Sequence, residues 1–171
     1  MNTPTRFVRT TPGWIETSPQ GSPLELSWAA GLFDGEGCIC ATVTGARTGR
    51  RRQVRLRVSI NQNEPGTLDR FRRCVGVACT LQPLRTRPSD NRPMYVVQYD
   101  GRRAYEALTR LSPYLFRKAR EFRLAEELWN DGLLGRRSGP KGWPEEIWET
   151  RLRLARELSI AKGRRAGGVR A

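Results

Sequence analysis

Residues 22–39, "SPLELSWAAGLFDGEGCI", constrain this chain more than any other stretch. Ser22, Pro23 and Glu25 form a capping box with proline at the first helical position, so a helix is expected to start here and run to about Asp34. Leu24, Trp28 and Leu32 share one apolar face, expected to lie against a core. A second face, Ser27, Gly31 and Gly35, is small throughout. Glycine inside a helix costs about 1 kcal/mol relative to alanine. A C-cap accounts for Gly35 or Gly37 but not for Gly31; close approach of another helix backbone is one reason for a small stripe. Two acids, Asp34 and Glu36, stand at the helix end, where the dipole is negative and carboxylates are disfavoured. That placement does not serve the helix itself.

From Cys38 the period changes from helical to two. Ile39, Ala41 and Val43 alternate with Cys40, Thr42 and Thr44, and "GARTGR", containing Arg47, reads as a turn. In "RRQVRLRVSINQ", Val54, Leu56, Val58 and Ile60 face one way and Gln53, Arg55, Arg57, Ser59 and Asn61 the other. The pair predicts a hairpin with one oily face and one arginine-bearing face. A helix after Pro65 turns Leu68, Phe71 and Val75 inward. Strands are expected near Cys79–Leu84 and Met94–Tyr99, the second with Tyr95, Val97 and Tyr99 in the core and Gln98 on the polar face. Two further helices divide at Ser112-Pro113. The expected units are a flexible N-terminal arm (1–21), a domain over 22–132, a Gly-rich linker (133–143), and a C-terminal helix with a basic tail (144–171). The order αββαββα with an added helix predicts an α+β fold around one four-stranded antiparallel sheet.

Charge narrows the partners. Lys+Arg number 31 against 17 Asp+Glu, a net +14, and only Lys118, Lys141 and Lys162 are lysines. Arginine offers a planar bidentate fork suited to phosphate and guanine edges, so a polyanion partner is expected. No apolar run is long enough to span a bilayer and no secretory segment opens the chain, so a cytoplasmic, reducing location without membrane contact is expected. There is no histidine, which excludes imidazole-based catalysis and His-ligated zinc. Cys38, Cys40, Cys74 and Cys79 form no C-x-x-C pair and read as reduced thiols in or near the sheet.

Ala29 to Gly37, "AAGLFDGEG", resembles the signature nonapeptide of the LAGLIDADG homing endonucleases, with Ala29 where leucine is usual. The αββαββα order is similar as well, and the likeness spans roughly residues 22–130. In that family, signature helices of two half-domains pack through small residues and deliver one acid each to paired active sites. The resemblance implies Glu36 as the metal-ligating acid, the Gly35 carbonyl as a second ligand, and Asp34 close to the helix ends. "SPYLFRKAREF" resembles the family's segment with a proline opening a helix and a lysine five residues on, which places Lys118 in the active site. Gln62 matches a polar residue that organises solvent near the scissile phosphate. An arginine found in some members has no counterpart after Gln62, where Pro65-Gly66 intervenes. The implied cofactor is Mg²⁺ or Mn²⁺, since carboxylate and carbonyl are hard oxygen ligands.

A single signature occurs. A lone helix with an exposed small face is half of a two-fold interface, so a homodimer on a near-palindromic double-stranded DNA site is implied, with Ser27, Ala30, Gly31, Asp34 and Gly35 at the seam. The polar sheet face (Cys40, Thr42, Thr44, Arg47, Gln53, Arg55, Arg57, Ser59, Asn61 and Gln98) is expected to read bases in the major groove. The competing expectation is a non-cleaving DNA-binding regulator, or an RNA maturase assisting intron splicing, on the same scaffold. Seven basic residues from Arg151 to Arg170 are expected to reach flanking phosphates.

Overall fold

A computed structural model describes residues 7–10, 13–16, 21–44, 53–84, 93–137 and 142–163. The signature helix α1 (Pro23–Glu36) begins as its capping box predicts: the Ser22 hydroxyl accepts from the Glu25 amide, and the Glu25 carboxylate accepts from the Ser22 amide at 2.8 Å. The helix continues two residues past the expected end, through Glu36, and passes directly into a strand. Gly37 makes that junction possible. A β-carbon there would collide with the Phe33 ring, so only glycine lets strand and helix stay in contact.

Segment 1–21, expected to hold no element, contains a short hairpin, β1 (Phe7–Thr10) with β2 (Gly13–Glu16). Four strands then build the main antiparallel sheet, β3 (Gly37–Thr44), β4 (Gln53–Gln62), β5 (Thr80–Pro83) and β6 (Tyr95–Asp100), in the order β3-β4-β6-β5. Helix α2 (Pro65–Val75) follows β4. Helix α3 (Arg102–Leu111), a 3₁₀ turn (Ser112–Tyr114) and helix α4 (Ala119–Asn130) follow β6, and α5 (Glu145–Ala161) ends the described chain. Among the described residues no helix is long and apolar enough to cross a membrane.

The period-two pattern holds in β3 and β4; in β6 Val96, expected on the polar face with Met94 and Gln98, is buried beside Val97. Ile39, Leu56, Val58, Ile60, Val97 and Tyr99 are buried against Leu68 and Phe71 of α2, Leu108 and Leu111 of α3, and Phe33 of α1. The core face of α1 overlaps the expected one in part: half-buried Trp28 and Leu32 pack against the core, but the fully buried positions lie beside them and Leu24 is outside. Leu26, Ala29, Ala30 and Phe33 are buried, whereas Leu24 is 81% exposed and Trp28 and Leu32 are half-buried. Small alanines face inward because α1 is wedged among sheet and helices, where backbones approach closely. Trp28 instead covers the α1–α2 seam, with the Arg70 guanidinium 4.2 Å from its ring centroid.

Helix α5 packs on α4 and on β3, so the edge strand of the sheet is shielded by a helix. Its Leu158 joins the main core, and Trp148 and Leu154 cluster with Val54 and Leu128. Arg151, counted among the phosphate contacts from sequence, is 5% exposed. Its guanidinium donates to the carbonyls of Gly132 and Leu133 and stacks 4.5 Å from the Trp143 ring centroid. It fixes the start of the Gly-rich segment to α5 and cannot reach a phosphate.

Candidate active site and nucleic-acid interface

Helix α1 presents three groups with distinct surroundings. Ser27, Gly31 and Gly35 are exposed, and a β-carbon added at Gly31 or Gly35 would meet nothing within 4 Å. The chain's own packing therefore does not require glycine at either position. Ala30 does not share this outward stripe; it is fully buried in the core, which removes it from the expected seam.

The two acids at the end of α1 behave differently. Asp34 accepts three consecutive backbone amides: Oδ2 from Phe116 at 2.8 Å and Arg117 at 3.1 Å, and Oδ1 from Lys118 at 2.9 Å. Successive amides converging in this way form an anion nest. Both oxygens of Asp34 thus tether the Lys118 loop to the signature helix rather than awaiting a metal. Glu36, by contrast, is exposed, and among the described residues it has no hydrogen-bond or ion-pair partner.

Lys118 is not inside a helix as expected. Pro113 lies in the 3₁₀ turn and Lys118 is the N-cap of α4. Its ammonium lies 3.9 Å from Oε2 of Glu121, and both side chains are largely buried, at 11% and 13% exposure. That Glu121 oxygen is itself buried without a hydrogen bond, so among the described residues the lysine is what offsets its charge. Gln62 ends β4 opposite Tyr95. Because Gly37 pairs with Ile60, Gln62 lies two residues, roughly 7 Å, beyond the first row of β3. It stands at the sheet end where α1 delivers Glu36.

One carboxylate per chain is a sparse metal site. Among the described residues no group of three acidic, cysteine or histidine side chains could hold an ion. The donor chemistry still fits a hard cation: a free carboxylate at Glu36 adjoins the last carbonyls of a helix, which have no intrahelical donors. Such a site suits Mg²⁺, which retains waters and takes further oxygens from phosphate.

The register places the polar side chains in rows across the sheet: Thr44 and Gln53; Thr42 and Arg55; Cys40, Arg57 and Asp100; Cys38, Ser59, Gln98 and Thr80; and Asn61, Val96 and Gln82. Every described member of the expected base-reading set except Arg47 is therefore on one face; Arg47 lies outside the described residues. The Thr42 hydroxyl donates to the Arg55 carbonyl at 3.2 Å. A hydrogen bond with Cys38, with burial second, pushes the Cys40 thiol far above its ordinary pKa, so it stays neutral. Lys162, just past α5, donates to Cys38 Sγ at 2.9 Å, bringing a cation two residues from Glu36.

Sequence reasoning missed Asp100, Glu121 and Lys162. Glu121 sits three residues after Lys118, a helical pairing that was legible. Asp100 reaches Arg57 across the sheet and Lys162 reaches Cys38 from the end of α5, neither with a local signal.

No family model matches the chain, and no curated protein matches it. Solved structures do. An archaeal intron-encoded homing endonuclease, I-Vdi141I, complexed with DNA, superposes with a TM-score of 0.64 at 17% identity, over 81% of this chain and 84% of that one. The homing endonuclease I-CvuI, in complex with its target in the presence of Ca, gives 0.56 at 24% identity, over 86% and 90%. The LAGLIDADG homing endonuclease I-GzeII, in complex with its DNA target, gives 0.60 at 13% identity, over 79% of this chain and 45% of that one. The chain has the LAGLIDADG homing endonuclease fold.

Proposed function

We propose that this chain is a metal-dependent endonuclease that cuts both strands of a specific DNA duplex, acting as a homodimer on a near-palindromic site. One observation carries the reading: α1 ends in an exposed Glu36, without a partner among the described residues, beside a glycine stripe that the monomer's own packing does not need. A free carboxylate at the negative end of a helix dipole is unfavourable unless a cation joins it. Two such helices packed through Ser27, Gly31 and Gly35 would bring two carboxylates together, one for each strand.

Glu36 and the Gly35 carbonyl would hold Mg²⁺ or Mn²⁺. The ion would supply Lewis acidity toward the phosphodiester and a more acidic bound water. Lys118, kept on its loop by Asp34 and beside Glu121, would offset charge that develops on the phosphate. Gln62 would orient solvent at the same end of the sheet. Arginines and amides of the polar face would set the target sequence. The neighbours crystallised with DNA support DNA as the partner.

The test is incubation of the purified protein with a randomised duplex library and Mg²⁺, followed by sequencing of new ends. Ends should appear at one near-palindromic sequence, and Glu36→Gln should abolish them while retaining binding. Selective binding without new ends would replace this reading with a non-cleaving DNA-binding protein.

A further inference from the structure

We infer that Asp100 is a specificity-determining residue, which acts by clamping Arg57 into a fixed guanine-reading posture. The inference rests on the proposed reading of the polar sheet face as a DNA surface. It goes beyond it, because a carboxylate in a groove that faces phosphates would otherwise oppose binding.

Arg57 and Asp100 are cross-strand partners on β4 and β6. Arg57 Nε donates to Asp100 Oδ1 at 2.8 Å. Gln98 Nε2 donates to the other oxygen, Oδ2, at 2.7 Å. The carboxylate is thus held from both sides, and it occupies the one guanidinium nitrogen that does not belong to the terminal fork. Nη1 and Nη2 remain available as a parallel donor pair, the arrangement that matches N7 and O6 of guanine. Gln98 is oriented by the same contact. A carboxylate only accepts, so the amide must turn its nitrogen inward, which leaves Oε1 as the free acceptor for a base amine.

Stability does not explain the trio. Arg57 and Asp100 side chains are 36% and 33% exposed, and ion pairs this open contribute little to folding. Gln98 and Asp100 line an open cavity with Thr80, Arg102 and Arg103, so the carboxylate and its amide partner are reachable. An unclamped arginine on a flexible stem would find phosphates and several bases alike; pinning Nε removes that freedom before DNA arrives.

The experiment selects bound duplexes from a randomised library without divalent metal, using the full chain as wild type, Asp100→Asn, Arg57→Ala and the double variant. The wild type should demand guanine at one position in each half-site. Asp100→Asn should relax that demand by about ten-fold or more, while binding to unselected duplex stays equal or tightens, since a negative charge has been removed. In the Arg57→Ala background, Asp100→Asn should change no preference at the guanine position; any remaining change should fall at the base read by Gln98, which Asp100 also orients. Two results would overturn the inference: an unchanged guanine preference in Asp100→Asn, or uniform weakening on all duplexes with a lowered melting temperature. A wild type with no base preference at all would instead sink the DNA-reading proposal on which it rests.

Discussion

Replacing Asp34 with asparagine puts two opposing effects against each other at the end of α1. Asp34 accepts amides from Phe116, Arg117 and Lys118 at 2.8–3.1 Å. Hydrogen bonds to a charged acceptor contribute roughly 1.5–3 kcal/mol each, and neutral ones about 0.5–1.5. Asparagine is nearly isosteric but has one accepting oxygen, and its NH₂ would face a donor. At best two weaker bonds survive, and one amide is left facing another donor. With the site partly open to water, the loss is about 2–3 kcal/mol. Against it, removing a negative charge from the helix C-terminus gains about 0.3–1 kcal/mol. The net expectation is destabilisation by roughly 1–3 kcal/mol. Urea unfolding should show it as a lower midpoint at unchanged slope. Hydrogen exchange should localise it, with the amides of 116–118 exchanging faster and the core of β4 unchanged. An Asp34→Asn protein as stable as the wild type would mean that the dipole term governs this acid and that the loop is not held by it.

Two other substitutions probe α1. Gly31→Leu should leave the monomer as stable or slightly more so, because a β-carbon there meets nothing and leucine favours helix. It should abolish the proposed dimer by overpacking of about 1–3 kcal/mol at each contact, which sedimentation beside chemical unfolding would show; a variant that remains dimeric refutes the seam. Glu25 is held below its ordinary pKa, chiefly by the Ser22 amide and then by the Ser22 hydroxyl. Its stabilising effect is therefore present above the unfolded-state value and lost as pH falls through the depressed folded one. Glu25→Gln should flatten that acid limb of stability against pH, and an unchanged limb would show the capping box to be inert.

The sheet was legible because its signal is local. Alternation in β3 and β4 settled which residues face the core, and every one of those assignments holds. The core face of α1 was legible only in part by the same rule: Trp28 and Leu32 do pack on the core, but its fully buried residues were missed. Leu24, Trp28 and Leu32 are bulky and four apart, so they outvoted Leu26, Ala29, Ala30 and Phe33, two of which are alanines that carry little weight in an apolar pattern. Close packing reverses that weighting, since a helix crowded between layers needs small side chains inward. Asp100 failed for another reason. It reads as a strand-ending acid before Gly101, and its partner Arg57 is 43 residues away. Only the adjacency of β4 to β6, with β5 displaced to the edge, makes them neighbours.

Asp34 and Glu36 show what a sequence motif leaves undivided. In the line of residues both are acids at a helix end, equally suited to a cation. Two residues along a helix is a rotation of about 200°, so the side chains leave on nearly opposite sides. Asp34 turns toward the Lys118 loop and is neutralised by its amides; Glu36 turns away and finds no partner among the described residues. The local-amide explanation that would make a terminal acid unremarkable thus applies to one acid and not the other. Among the described residues, that leaves Glu36 as the carboxylate at this helix end without a compensating charge. It also makes Asp34 the means by which the end of α1 and the lysine on the next loop keep a fixed relation, so that the free acid and Lys118 are set by one tether.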